Sequence, residues 1–392
     1  MAKAHTVEVA VIGGGASGLI AAIALAQAGT ETILFAPPAA PDRRTTALLD
    51  GSVRTLEALG IWPALAPQAA PLARLRIVDA TRRLIRAPEV TFDAGELGLA
   101  AFGFNTENDI LMRALRAAVD TVSTLHIAGS AVSSVVPEDG AVTLHADDQA
   151  VRVRLAVGAD GRNSICRRAA GIETRRREFP QVALTMNLRH SRPHGNVSTE
   201  FHTESGPFTL VPLPGERSSL VWVADPDEAE ALNAMDDAAL ALEAERRAHS
   251  ILGRMEIDGA RGSFPLSIET AQVLAAKRIV LVGEAGHVLP PIGAQGLNLA
   301  IRDAATIAEI VADARRTGED IGGPGVLNAY EERRRTDVRS RAFAVEWMNR
   351  SLLTDFLPVH AARGFGLELA SRFGFLRRAL MREGLGPSDV RR

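Results

Sequence analysis

The sequence predicts an α/β protein in which a parallel-sheet domain, assembled from separated segments, carries an inserted antiparallel β-sheet and ends in a helical carboxyl-terminal region. Three observations predict it. First, "VEVAVIGGGASGLIAAIALAQAGTETILFA" reads as buried strand, glycine turn, small-residue helix and second strand. Second, two more strand–turn–helix junctions follow far downstream, at "LAVGADGRNSICRRAAG" (155–171) and "RIVLVGEAGHVLPPIGAQGLNLAIRDA" (278–304). Third, residues from about 178 to 268 alternate apolar and polar positions between short turns, the mark of antiparallel strands.

The first stretch is uncharged from Val9 to Gly29, long enough at about 20 residues to be misread as a membrane span. Its Gly13-Gly14-Gly15 turn, and the next apolar run after Glu31, are explained by strand, turn, helix and strand; a span explains only the hydrophobicity. The strands are expected at Val7 to Ile12 and Thr32 to Phe35. In the G-x-G-x-x-G turn Gly13 allows the tight bend, Gly15 lets a diphosphate approach the backbone, and Gly18 lets helix and strand pack closely. Ala16 and Ser17 open the helix whose amino end would carry the diphosphate. The acid that usually binds the adenosine ribose belongs at the end of the second strand, about 20 residues after the glycines. There the sequence reads Phe35-Ala36-Pro37. Glu31 precedes the strand, so either the ribose is held by other groups, with Arg44 the nearest candidate, or affinity is reduced.

In the second junction Asp160 is placed to accept from an N–H or a hydroxyl, Arg167 to pair with an anion, and Cys166 to fill core. In the third, apolar residues recur at helical spacing from Leu297 (Ala300, Ile301, Ala304, Ala305, Ala308). That puts a helix amino end just after Gly293-Ala294-Gln295-Gly296. Unpaired amides and the helix dipole there favour an electron-rich partner.

Composition narrows the classes. The chain has 392 residues, 46% of them apolar, and a formal net charge of -3, so a substantial core is available and no basic footprint for nucleic acid exists. The runs "RRRE" at 175 and "ERRR" at 332 are short and balanced by nearby acids. A single cysteine excludes an internal disulfide and a thiolate metal site and favours a reducing, cytoplasmic compartment. His190, His194 and His202 lack tight spacing and paired carboxylates and read as surface histidines, so no metal is expected.

Taken together, G-x-G-x-x-G, "GADG..S..R" and "GE.GH..PP.GAQGLN...RDA" resemble the single-component, FAD-dependent aromatic hydroxylases. "DRRTTALLDGSVRTLEALGIW" (42–62), "GPFTLVPLPGERSSLVW" (206–222) and "LNAYEERRRTDV" look like the ubiquinone-biosynthesis branch, the UbiH/UbiF type. The likeness covers nearly the whole chain. It departs from the family where the usual Asp is Glu284 and the usual Gly-Gln-Gly is Ala294-Gln295-Gly296. The resemblance implies a Rossmann-like FAD-binding domain in three parts (1–72, 104–177 and 273–324), substrate-domain strands at 73–103, a substrate domain at 178–272 and carboxyl-terminal helices at 325–392. It implies FAD held by Gly13, Gly15, Ala16, Ser17, Gly18, Arg44 and Asp160, with Glu284 on a ribityl hydroxyl. The flavin ring would lie before the amides of Gly296, Leu297 and Asn298, with Pro291, Gly293 and Gln295 shaping its edge. NAD(P)H, lacking a second glycine fingerprint, would bind transiently and reduce FAD. Dioxygen would then give a flavin hydroperoxide whose distal oxygen attacks an electron-rich ring, that of a prenylated phenol or quinol.

Phe208, Leu210, Pro212 and Trp222 are expected to line the substrate site. The single tyrosine, Tyr330, lies far from the motifs in sequence and has a packing role, so no general base can be named. The tail, with Arg372, Arg377 and Arg378, could cover the nucleotide domain, form a dimer surface, contact proteins of a ubiquinone-biosynthesis complex, or rest peripherally on the inner membrane. Two other readings stay open: a soluble aromatic-compound hydroxylase, and a non-catalytic flavoprotein scaffold of a quinone-synthesis complex.

Overall fold

The structure, a computed structural model, describes residues 7–38, 42–81, 86–353 and 374–385. One sheet runs in the order Ala275–Ala276, Ile279–Leu281, Leu155–Gly158, Val9–Ile12, Thr32–Phe35, Leu125–Ala128. Every neighbouring pair is parallel except the first, a tight hairpin. Its central strands read as continuous apolar runs because both faces are covered. Val9, Val11, Leu155 and Val157 pack under the helices Ala16–Gln27 and Gln295–Thr317. Ala10, Ile12 and Ala156 face the antiparallel strands of 132–153 and the helix Ile165–Ala170. From Gly18 to Ala26 every residue of the first helix is buried, so its lack of charge reflects packing within the domain. No helix among the described residues is long and apolar enough to cross a membrane.

The second sheet runs His287–Val288, Gly262–Ala271, Thr174–His190, Arg217–Ala224, Pro207–Leu213, Val197–His202, Arg74–Asp79, Val90–Asp93, with Met255–Ile257 also paired to Thr174–His190. It is antiparallel except where Val197–His202 meets Arg74–Asp79 in parallel. The chain enters that edge from the nucleotide domain rather than through a hairpin, which removes the antiparallel constraint.

Alternation divides this sheet into two faces. Leu184, Met186, Phe201, Phe208, Leu210 and Trp222 form the back face, buried beneath the helices Pro226–Ala234 and Asp237–Arg247. On the front face Ala183 and Val223 meet Leu289 and Ile292 of the third motif and Val345 of the long helix Pro324–Leu353. The expectation that Phe208, Leu210, Pro212 and Trp222 line the substrate site is therefore corrected: they alternate onto the face turned away from the motif. Their strand neighbours Thr209, Val211 and Val221, each half-buried, occupy the front. Alternation in the sequence showed that one face of these strands is buried, but the helices Pro226–Ala234 and Asp237–Arg247, not the nucleotide domain, bury it.

A small sheet (Thr45–Leu49, Gly103–Glu107, Ala70–Pro71) bridges the two larger ones. In the tail, Tyr330 is fully buried and its hydroxyl donates to the Leu281 carbonyl at 2.8 Å. The helix Gly374–Leu385 lays Met381 and Leu385 on Val90 and Phe92, and Arg377 pairs with Glu96 at 2.8 Å. Arg372 lies outside the described residues.

Candidate active site

The three motifs touch one another. A Cβ on Gly13, whose φ is +124°, would fall 2.2 Å from the Ala159 carbonyl oxygen, and one on Gly18 would fall 1.8 Å from that of Gly13. A Cβ on Gly283 would meet Ser17 Oγ at 2.8 Å. First motif against second approaches closer than any side chain permits, and third against first so closely that a side chain at Gly283 would have to displace Ser17. Gly15 and Gly296 behave in the opposite way: both are exposed, and a Cβ on either meets nothing within 4 Å. Each lies at the start of a helix, Ala16–Gln27 or Gln295–Thr317, that has no side-chain cap. Two helix amino ends with uncapped amides, each beside open space, suit a long ligand that is electron-rich at two places. The diphosphate and ring of FAD fit that description.

The helix starts at Gln295, two residues before the first apolar repeat position. Its first turn is set by two successive left-handed residues, Gly293 (φ +66°) and Ala294 (φ +53°). For alanine that conformation costs about 1–2 kcal/mol, so Ala294, at the family's usual glycine, holds a strained turn. Gln295 Nε2 donates back to the Gly293 carbonyl at 2.8 Å, while Pro291 and Leu297 are half-buried around the turn. Asn298 is fully buried: its Oδ1 accepts from Leu49 N at 2.8 Å and its Nδ2 donates to the Ala47 carbonyl at 2.8 Å. Asn105, paired in register with Ala47, continues the link by donating to the Pro212 carbonyl at 2.9 Å and to Ser219 Oγ at 3.1 Å. Buried amides thus tie the helix start to the second sheet.

Several predicted residues have tasks inside the protein. Both oxygens of Asp160 cap the helix Ile165–Ala170, accepting from Ser164 Oγ at 2.6 Å and from the backbone N–H groups of Ile165 at 2.7 Å and Cys166 at 3.1 Å. The anion beside Arg167 is the protein's own Glu269, at 3.3 Å. Arg44 is exposed and forks onto Asp42 at 2.8 and 2.7 Å. The hydrogen bond to Asp42 raises the Arg44 pKa above its ordinary value, and attraction from Glu284 adds to it. Glu284 is exposed and pairs with Arg162 at 3.3 Å. Arg44, Glu284 and Arg162 therefore share one polar mouth. Ala36 occupies the place expected of the ribose acid, its methyl against Gly14, and brings no carboxylate.

The surface assignment of the histidines is corrected for two of the three. His190 is buried and bonds Ser218 Oγ at 3.0 Å and the Arg192 carbonyl at 2.9 Å. Its pKa is lowered, chiefly by burial. His202 is buried and pairs with Glu200 at 2.7 Å. Strand alternation turns both inward, and spacing alone could not show that. Among the described residues no group of three or more His, Cys, Asp or Glu could hold a metal ion.

The sequence reading missed a buried ionic cluster behind the third motif. Asp303 is fully buried, and its carboxylate accepts from Gly283 N at 3.0 Å, bonds His287 Nε2 at 2.7 Å and pairs with Arg334 at 2.7 Å. Arg334 also pairs with Asp337 at 2.8 Å, as does Arg302. Burial alone would raise the Asp303 pKa; the neighbouring His287 and Arg334 outweigh it and hold the carboxyl far below the usual carboxylate range. The clue in the sequence is an acid set between Ala300 and Ala304 on an otherwise apolar helix stripe.

A model of the FAD binding domain family matches residues 6–343. The ubiquinone hydroxylase UbiL of Rhodospirillum rubrum is 32% identical over 97% of this chain and 89% of its own. The 3-demethoxyubiquinol 3-hydroxylase of Escherichia coli is 30% identical, covering 97% and 98%. Among solved structures, p-nitrophenol 4-monooxygenase PnpA of Pseudomonas putida superposes with a TM-score of 0.77 at 17% identity, covering 96% of this chain and 98% of that one. Klebsiella pneumoniae HpxO, complexed with FAD and uric acid, does so with 0.76 at 19% identity, covering 96% of each. The glycine contacts, the two open helix starts and the extent of these matches agree: the chain belongs to the FAD-binding-domain family of aromatic monooxygenases, among the ubiquinone-biosynthesis hydroxylases.

Proposed function

We propose that the protein hydroxylates the aromatic ring of a prenylated phenol or quinol on the route to ubiquinone. One oxygen atom of O2 enters the ring and the other leaves as water, with two electrons supplied by NAD(P)H. The observation that carries this reading is the pair of open, uncapped helix starts, one of them tied by Asn298 and Asn105 to a half-buried sheet face. When bound, FAD supplies the oxygen activation.

The chain's own residues bind, orient and exclude water. Gly13, Gly15, Ala16, Ser17 and Gly18 would receive the diphosphate, and Arg44 and Glu284 would serve the sugar portions. Gly296, Leu297 and Asn298 would present amides to the ring, and Pro291, Gly293 and Gln295 would border it. Asp160 would act by fixing the second motif. Thr185, Val221 and Thr209 would floor the substrate site. The wall of Ile292, Val223 and Val345 keeps water from one side of it.

In a strain that lacks this gene and has no paralogue, an under-hydroxylated prenylphenol should accumulate and disappear on complementation, read by mass spectrometry of lipid extracts. An unchanged profile would move the assignment to a soluble aromatic compound. Purification of a colourless protein that takes up no FAD would favour a scaffold.

A peripheral contact with the inner membrane, or with proteins of a ubiquinone-biosynthesis complex, belongs to the same reading. Phe343 and Phe375, each 69% exposed, and Trp347, 59% exposed, lie on the two tail helices. Such residues suit a lipid interface. The protein should float with anionic vesicles, and a triple Phe343→Ser, Trp347→Ser, Phe375→Ser variant should stay in the soluble fraction. Equal flotation of both proteins would remove the membrane contact from the reading.

A further inference from the structure

We propose that Glu200, held in place by His202, is the proton acceptor that the substrate sheet offers to the phenolic hydroxyl. The proposal rests on the aromatic-hydroxylase reading above. Phe201 packs into the back-face core, so its neighbours Glu200 and His202 point to the front. The sheet register puts Glu200 in one cross-strand row with Thr209, Val221 and Thr185. That row is the half-buried middle of the front face. His202 belongs to the next row, with Val223 and Ala183, which the third-motif residue Ile292 covers. The dyad is therefore on the side of the sheet that faces the third motif.

Its asymmetry suits proton transfer. The His202 side chain is 8% exposed and that of Glu200 22%. The histidine sits behind, bonded to Oε1 at 2.7 Å, and Oε2 remains for a ligand. Many acids among the described residues pair with arginines, as Glu107 and Asp258 do with Arg217, but no Lys or Arg among them pairs with Glu200. A carboxylate held by one histidine on a sheltered floor can form a hydrogen bond with a phenol and take its proton. The chain's one tyrosine is committed to the Leu281 carbonyl and cannot do so.

The chemistry balances. The phenolic O–H bond breaks, the proton moves to Glu200 Oε2, and the electron pair stays on the ring oxygen, delocalising onto the carbons ortho and para to it. After oxygen has been attached, the ring carbon loses its own proton to water as aromaticity returns. Glu200 then gives the borrowed proton back to the phenolic oxygen, leaving the dyad unchanged over the cycle.

The test compares Glu200→Gln with wild-type holoenzyme on a prenylated phenol and on its ring-fluorinated, more acidic analogue. General-base losses run to about 100-fold or more. With the plain phenol, hydroxylation by the variant should fall about 100-fold while FAD and phenol affinities stay within about threefold. With the fluorinated phenol the loss should shrink below about tenfold, because less basicity is needed. A nitrophenol probe bound without reductant gives a readout independent of turnover: its phenolate band should be strong on wild type and weak on Glu200→Gln. His202→Gln, which frees the carboxylate from its support, should weaken the band as well and serves if the first variant does not fold. Wild-type hydroxylation rates in Glu200→Gln, an equal loss on both phenols, or an unchanged phenolate band would overturn the proposal. A wild-type protein that turns over neither phenol would overturn the hydroxylase reading itself, and this proposal with it.

Discussion

Replacing Gly15 by alanine should remove FAD from the protein and leave the fold intact. The backbone at Gly15 has φ -75° and ψ 174°, an extended conformation open to any residue, and the new methyl group would meet no protein atom within 4 Å. The stability of the unliganded variant should change little, because the reduced freedom of the unfolded chain, about 0.4–1 kcal/mol, is set against the poorer fit of alanine at a helix N-cap. FAD affinity should fall at least about 100-fold, or about 2.7 kcal/mol, because the methyl would fill the open space through which, on the proposed reading, the diphosphate reaches the helix amides. The controls are Gly13→Ala and Gly18→Ala, whose new Cβ atoms would collide with backbone oxygens at 2.2 and 1.8 Å. These two should lose fold and cofactor together. Thermal melts of the unliganded proteins, with FAD titration followed by flavin fluorescence, separate the cases. A Gly15→Ala protein that stays yellow at wild-type affinity would mean that the diphosphate does not pass this residue.

Much of the fold was legible because it obeys local rules. The strand pair Val9–Ile12 and Thr32–Phe35 and the buried helix between them follow from apolar periodicity and glycine placement, and the four strands from Thr174 to Ala224 follow from alternation and turns. What the sequence could not show is which partner covers which face. Phe208 and Trp222 carry the strongest apolar signal in the second sheet, and that signal marks the helix-covered back. The weaker alternates, Thr209, Val211 and Val221, floor the front. Asp160 shows the same ambiguity in polar form. A carboxylate after a strand can serve a ligand or cap the next helix, and here its oxygens are taken by Ser164, Ile165 and Cys166. Long-range pairs were hidden altogether. Nothing local connects Asp303 with Arg334, or Glu200 on an edge-side strand with the centre of the front face.

Asp303→Asn should be the most damaging single substitution behind the third motif. It keeps the shape but removes the charge that faces Arg334, 4% exposed, and His287, 1% exposed. Breaking one side of a buried ionic cluster typically costs about 3–5 kcal/mol, and Asp337, at 2.8 Å, is the one carboxylate among the described residues left to Arg334. Domains of this kind hold only about 5–15 kcal/mol in all, so the variant should melt many degrees lower or fail to accumulate. Damage should start at the cofactor site, because the same carboxylate anchors Gly283 N and His287 on either side of Glu284. The pH dependence has a definite sign. The Asp303 carboxyl is depressed in the folded protein, with burial opposing and His287 and Arg334 causing the shift. Asp337 is depressed too, against its burial, by Arg302 and Arg334. Stability from both groups is complete above the unfolded carboxylate value of about 3.9 and drains away as pH falls from there through the folded values. Wild type should therefore lose stability steeply below about pH 4, and Asp303→Asn, already without the larger share, should lose less over the same interval. Melting curves at pH 7, 5, 4 and 3 read both effects. If Asp303→Asn melts with wild type at pH 7, or if the two acid slopes coincide, the cluster does not hold the third motif in place, and the helix start would have to be positioned by Asn298 and its contacts with the Thr45–Leu49 strand alone.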